Sequence, residues 1–276
     1  MKIKNPFLSV RATSYGGALT SVQLFSQEVL HQKEGRWPFQ DAILFPLIGR
    51  ADHYTCGYVP MSMSSHGFLH SMDMKEEQVN ETCLRFSAES NPDTLRNFPY
   101  PFRFIETLYL EDDVLVRSFE VKNTGSFKLP FALGAHPAFR VKFGKAKLHY
   151  KDTAYVPYAK GMTSGPFLAA LAVNEGVTLG EDRAFLEGQS PLILVHDYEP
   201  IVLETGLGVS IEFYYPSPYV AIWCEDAKDG LLCVEPWWGL PRFDHDPEEL
   251  LERETLNQIE PGQSKTFTTR IRFRLD

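Results

Sequence analysis

Two histidines, one glutamate and one arginine stand where a chain positions reactive side chains. His136 lies in Gly134-Ala135-His136-Pro137-Ala138-Phe139, directly after the apolar run Leu129 to Leu133. The following proline narrows the backbone, so the imidazole can act as an acid or base with a defined direction. His66 precedes Gly67 in Ser65-His66-Gly67-Phe68, where a glycine permits a sharp turn and a close ligand. Glu235 ends the strand-like run Leu231 to Val234 and precedes Pro236-Trp237-Trp238-Gly239. A carboxylate packed among those tryptophans would lose hydration and become a better base, and the indole faces could stack on a sugar ring. Arg50 closes Phe45-Pro46-Leu47-Ile48-Gly49-Arg50 and could fork onto sugar hydroxyls or a phosphate. Together these are parts for acid–base chemistry on a polar ring. Each also has a plain structural counterpart. His136 could be a corner residue, Glu235 a rim carboxylate on an arginine, and Arg50 one half of an ion pair.

Other chemistries lack their motifs. There is no Gly-x-Gly-x-x-Gly, phosphate-loop lysine, Gly-x-Ser-x-Gly elbow or His-Glu-x-x-His. Cysteines 56, 83, 224 and 233 form no Cys-x-x-Cys pair, and none sits near a histidine at metal-ligand spacing. No metal and no cofactor is expected, and the cysteines read as reduced. The remaining histidines, at 31, 53, 149, 196 and 245, read as surface or packing residues.

The elements that must hold these residues are strands. Phe104 to Leu110 and Val114 to Lys122 read as a hairpin about Glu111-Asp112-Asp113. Pro200 to Glu204 and Val209 to Tyr215 form a second, and Tyr219 to Cys224 and Leu231 to Glu235 a third. Phe267, Thr269, Ile271, Phe273 and Leu275 alternate with Thr268, Arg270, Arg272 and Arg274, which gives one buried face and one wet, basic face. The one helix expected is short, over Asp246-Pro247-Glu248-Glu249-Leu250-Leu251, with an Asp cap and Pro in the first turn. Pro157 to Gly188 reads as a long surface excursion. With no repeat, low-complexity tract or composition break, residues 1–276 read as one all-β domain, a large antiparallel sandwich with little helix.

The 276 residues are 43% hydrophobic, ample for a large core, and the net charge of -9 argues against nucleic acid and anionic membrane surfaces. Met1 to Val10 has no apolar signal core and no run approaches 18 apolar residues, so a cytoplasmic protein is expected. Asn80-Glu81-Thr82 then matches a glycosylation sequon by chance. A monomer is the default expectation, with a weak dimer as the alternative.

Taken in order, the segments resemble the aldose 1-epimerase (galactose mutarotase-like) superfamily, in particular its LacX-type branch. The resemblance covers nearly the whole chain. It runs from Gly16-Gly17-Ala18 through Phe45-Pro46-x-x-Gly49-Arg50, His66-Gly67-Phe68 and Gly134-x-His136-Pro137-x-Phe139. It continues through Tyr219-x-x-Ile222-Trp223 and Glu235-Pro236-Trp237-x-Gly239 to Leu256 and Pro261-Gly262. It implies a β-supersandwich and a cofactor-free enzyme that interconverts the α and β anomers of an aldose. By motif it implies Glu235 as general base, His136 as general acid, His66 as second active-site histidine and Arg50 as a substrate contact. On that reading Glu235 starts ionised and His136 protonated, the carboxylate favouring the imidazolium. Two departures stand out. His70 occupies a position where the family often has arginine. The region expected to carry a sugar-binding aspartate, Ser190 to Ile193, has no acid, with Asp182 and Asp197 the nearest candidates. The alternatives are a non-catalytic carbohydrate-binding protein on the same fold and a hexose-6-phosphate mutarotase, which would need an arginine cluster drawn from residues such as Arg50, Arg96, Arg103 and Arg140.

Overall fold

Strand pairing accounts for most of the chain. The computed structural model describes residues 1–33, 38–151, 153–157, 167–172, 177–179, 191–225, 227–243 and 246–276. Two large antiparallel sheets dominate. The first has nine strands, in the order Val177–Thr178, Lys147–His149, Ile201–Glu204, Val209–Tyr214, Ser264–Leu275, Val114–Asn123, Phe102–Glu111, Cys83–Glu89 and Lys75–Asn80. The second has eight. Its path runs Phe167–Ala172, Thr153–Pro157, Leu192–Val195, Tyr219–Trp223, Leu231–Trp238, Leu133–Ala135 and Ile43–Leu44, with Ala138–Arg140 also paired to Leu231–Trp238. A four-stranded sheet of the N-terminal 28 residues packs beside them.

All three expected hairpins form, the first with its two strands in continuous register from Phe102↔Asn123 to Glu111↔Val114. The final strand buries Phe267, Thr269, Ile271 and Phe273 and exposes Arg270 and Arg274. Leu275, at the strand end, breaks the phase and is 55% exposed.

The inner faces of the two large sheets meet through aromatic side chains. Trp238 packs on Phe119 and Phe267, and Phe139 on Phe213. Phe45 sits among Phe98, Phe102, Phe104 and Phe131, at centroid distances of 5.0 to 6.4 Å. Such edge-to-face and tilted contacts add to the area each ring buries.

The helix expected over 246–251 is not there. A single 3-10 turn covers Leu250–Glu252. Glu249 has extended backbone, and its carboxylate accepts from the Thr55 hydroxyl and the Gly57 and Tyr58 N–H groups, which pins the segment alongside Tyr54–Cys56. The α-helix described is instead Pro92–Asn97. Asn91 caps it by accepting from Asp93 and Thr94, and Thr94 returns a bond to Asn91. The excursion expected over 157–188 falls largely outside the described residues, and its described part carries the strands Phe167–Ala172 and Val177–Thr178. No described helix is long and apolar enough to cross a membrane.

Candidate active site

The strand Leu231–Trp238 has period two, so Cys233, Glu235 and Trp237 share the face opposite Trp238. Trp238 is therefore directed into the intersheet core, where its Nε1 donates to the Pro216 carbonyl, and it does not flank Glu235. Trp237 does. Its Nε1 donates to Glu235 Oε2 at 3.1 Å. Glu235 is 1% exposed, so it is no rim carboxylate.

His136 reaches the same place from the neighbouring strand. Leu133–Ala135 pairs with Leu231–Trp238 on one side and Ile43–Leu44 on the other. The His136 and Ala138 N–H groups donate to the Ala42 and Gln40 carbonyls, which clamps the chain on both sides of Pro137. Gly134 permits this packing, because a Cβ there would lie 2.9 Å from the Trp237 ring. The result brings His136 Nε2 to 3.4 Å from Glu235 Oε1, both side chains being buried.

His66 completes the cluster from a loop. Its φ is +64°, and Gly67 follows at +80°. A Cβ at Gly67 would meet the Phe45 carbonyl oxygen at 2.1 Å, so that position accepts glycine alone. The Gly49 and Phe45 backbones hold the turn, and the His66 ring centroid lies 5.9 Å from that of His136. The aromatic ring beside His136 is Trp223, at 5.5 Å between centroids.

Burial sets the charge state. It pulls the His136 pKa down to about 4 and pushes Glu235 well above the usual carboxylate range, with Asp41 adding to the latter. Both groups thus favour their neutral forms in the protein alone, whereas the resemblance implies a charge-separated pair at the start of the reaction. Burial also lowers His66, to about 3, assisted by His136 and His70.

Arg50 is not drawn into this cluster among the described residues. Its guanidinium is exposed and lies 2.5 Å from Asp52. His70 is half-buried in the 3-10 turn Leu69–Ser71, and burial lowers its pKa. Asp197 is exposed and accepts from the Glu199 N–H, while Asp182 and Ser190 lie outside the described residues. A cleft of about 480 Å³ behind the His66 loop is lined by Met63, Ser64, Phe68 and Asn91, and contains none of the four candidates.

Two features escaped the sequence reading. Cys233 is not near a histidine along the chain, yet its sulfur, a His136 ring nitrogen and a Glu235 oxygen all lie within 4.8 Å of one another. Next to the site, Arg117 is fully buried between Asp41, at 3.0 Å, and Glu106, at 2.7 Å. Burial pushes Glu106 up to about 7 against the pull of Arg117. A signal existed for the arginine. Arg117 falls in phase with Leu115, Phe119 and Val121 on the inward face of its strand, where it demands acidic partners.

A sequence model of aldose 1-epimerase matches residues 1–272. The chromosomal LacX protein of Lactococcus lactis is 26% identical over 272 residues, covering 87% of this chain and 88% of that one. A galactose mutarotase related enzyme from Lactobacillus acidophilus superposes with a TM-score of 0.89 at 21% identity, covering 99% of this chain and 97% of its own. A galactose mutarotase-like protein from Lactobacillus casei gives 0.87 at 24% identity and 99% coverage of both chains. These likenesses extend over nearly the whole chain.

Proposed function

Because the chain belongs to the aldose 1-epimerase family, we propose that it interconverts the α and β anomers of an uncharged aldose. The observation that carries this reading is the Glu235–His136 pair, 3.4 Å apart and buried, with His66 against it. Glu235 takes the proton from the C1 hydroxyl while His136 protonates the ring oxygen. The C1–O5 bond breaks, the open aldehyde turns about C1–C2, and the same two groups close the ring on the other face with roles reversed. His66 donates a hydrogen bond to a sugar oxygen and holds the ring in register.

The pair contains one transferable proton. In the protein alone, burial favours that proton on Glu235. Sugar hydroxyls supply the polarity lost to burial and draw it onto the imidazole, which produces the carboxylate base and imidazolium acid. No metal or cofactor enters these steps.

A sugar phosphate would require free cations. Of the four arginines, Arg50, Arg96 and Arg103 face Asp52, Asp93 and Glu89 respectively, and Arg140 alone among them has no carboxylate partner among the described residues, short of the cluster a phosphate needs, which supports a neutral substrate. A pure binding module would have no use for the complete Glu235, His136 and His66 set. The protein is proposed to act as a single domain in the cytoplasm, as a monomer. Magnetisation exchange between anomeric proton signals tests the activity. Chelator-treated protein is expected to accelerate exchange for at least one free hexose and not for its 6-phosphate. Failure with every common aldose would favour the binding module, and preference for the phosphate would overturn the uncharged substrate.

A further inference from the structure

The His136, Cys233 and Glu235 side chains converge with three different donor types, and the sugar reaction as proposed uses only two of them. We infer that these three residues bind one zinc ion and that the bound ion silences the sugar site. The binding half stands independently. The silencing half rests on the proposed function.

The geometry suits zinc. Zinc bonds of about 2.0–2.1 Å to nitrogen and oxygen and about 2.3 Å to sulfur place tetrahedral ligand atoms about 3.3–3.6 Å apart. His136 Nε2 and Glu235 Oε1 already stand at 3.4 Å. The Cys233 sulfur, a His136 ring nitrogen and a Glu235 oxygen lie within 4.8 Å of one another, so a side-chain adjustment closes the set. Imidazole, thiolate and carboxylate together favour a borderline cation over magnesium or calcium, which prefer oxygen. Three protein ligands leave the fourth position to water or a sugar hydroxyl.

The supporting structure is equally suited. Cys233 and Glu235 project from one strand face, and Ala138, two residues after His136, pairs directly with Cys233. The Trp237 N–H fixes Glu235 through Oε2 and leaves Oε1 directed at His136. Charge also balances. A dication with one thiolate, one carboxylate and one neutral imidazole sums to zero, which a site this buried requires. Binding expels the thiol proton and the proton on Glu235. The ion then occupies the imidazole lone pair and the carboxylate oxygen that would move protons on the sugar.

Titration of chelator-treated protein with cobalt(II) and zinc tests this. One equivalent is expected, with a sulfur-to-cobalt charge-transfer band. Cys233→Ala should lose the band and weaken zinc binding by about 100-fold, whereas Cys224→Ala should retain both. A wild-type protein without the band, or a Cys233→Ala variant that keeps it, overturns the proposal. X-ray absorption at the zinc edge of the wild type provides a readout independent of any variant. One sulfur and two or more nitrogen or oxygen neighbours support the site, and a sulfur-free shell overturns it. One equivalent of zinc should also halt anomer exchange, with recovery on chelation. Zinc bound without loss of exchange overturns the silencing half. If chelator-treated protein exchanges no aldose, the sugar reading fails while the metal titration still decides the binding half.

Discussion

The Gly49 N–H donates to Nδ1 of His66 at 3.2 Å, which makes Nδ1 the acceptor and leaves the ring proton on Nε2. Burial keeps that ring neutral down to a pKa of about 3. His66 is therefore a donor of fixed tautomer and is expected not to exchange protons with a sugar. His66→Asn preserves the left-handed backbone, which asparagine tolerates. It is expected to lower kcat/KM about 10-fold, the worth of a hydrogen bond, without moving either limb of the pH profile. A shifted limb would show that His66 titrates in the reaction.

Glu235→Gln and His136→Gln should each cost about 10²–10⁴ in exchange rate. The double variant should be little worse than either single, because the pair carries one proton and fails as a unit. Additive losses would separate the two roles. Circular dichroism distinguishes a lost fold from lost chemistry.

The pH profile, measured with chelator present, should be a broad bell. The active form has one proton on the pair. Falling pH adds a second proton to His136, whose pKa burial lowers to about 4, so the acid limb should lie near pH 4 and not near the 6.5 of a free imidazole. Rising pH removes the remaining proton, which burial of Glu235 delays past the usual carboxylate range. An acid limb near 6.5 would show that His136 is hydrated in the working enzyme.

Arg117→Met should destabilise the fold by about 3–5 kcal/mol, because it strands Asp41 and Glu106 without their counter-charge. The loss should grow as pH rises. Burial already raises Glu106 to about 7 against the pull of Arg117, and without the guanidinium its folded-state pKa rises further above the unfolded one, so its stabilising contribution is present in acid and disappears as the pH passes through the folded value. Urea denaturation at pH 5 and pH 8 measures this, and an equal loss at both would count against the electrostatic origin.

Much of the sandwich was legible because alternation is a local signal. Phe267 to Phe273 states its buried face residue by residue, and the three hairpins carry their turns in sequence. The short helix was misplaced because capping signals compete with contacts from elsewhere. Asp246-Pro247 carries a helix start, but Glu249 is captured by Thr55, Gly57 and Tyr58. Asn91-Pro92-Asp93-Thr94 carries one too, and six residues are too few to show a helical period. At the site, His136, His66 and Glu235 were each visible beside a proline or glycine that shapes the backbone. Cys233 and the Asp41–Arg117–Glu106 cluster were not, since strand register and sheet packing bring them together across long stretches of chain. The depth of desolvation around Glu235 and His136 was not legible for the same reason. Hydration is a property of the assembled fold.

The strand Leu231–Trp238 is buried at all eight positions, with neighbours on both edges and both faces. Such a strand exchanges its amides only when the whole sandwich opens. The Glu235 carboxylate therefore has no partly melted setting in which the rest of the sandwich persists. For Glu235, loss of its buried setting on heating and global unfolding are expected to be the same event, while the His66 loop can open on its own.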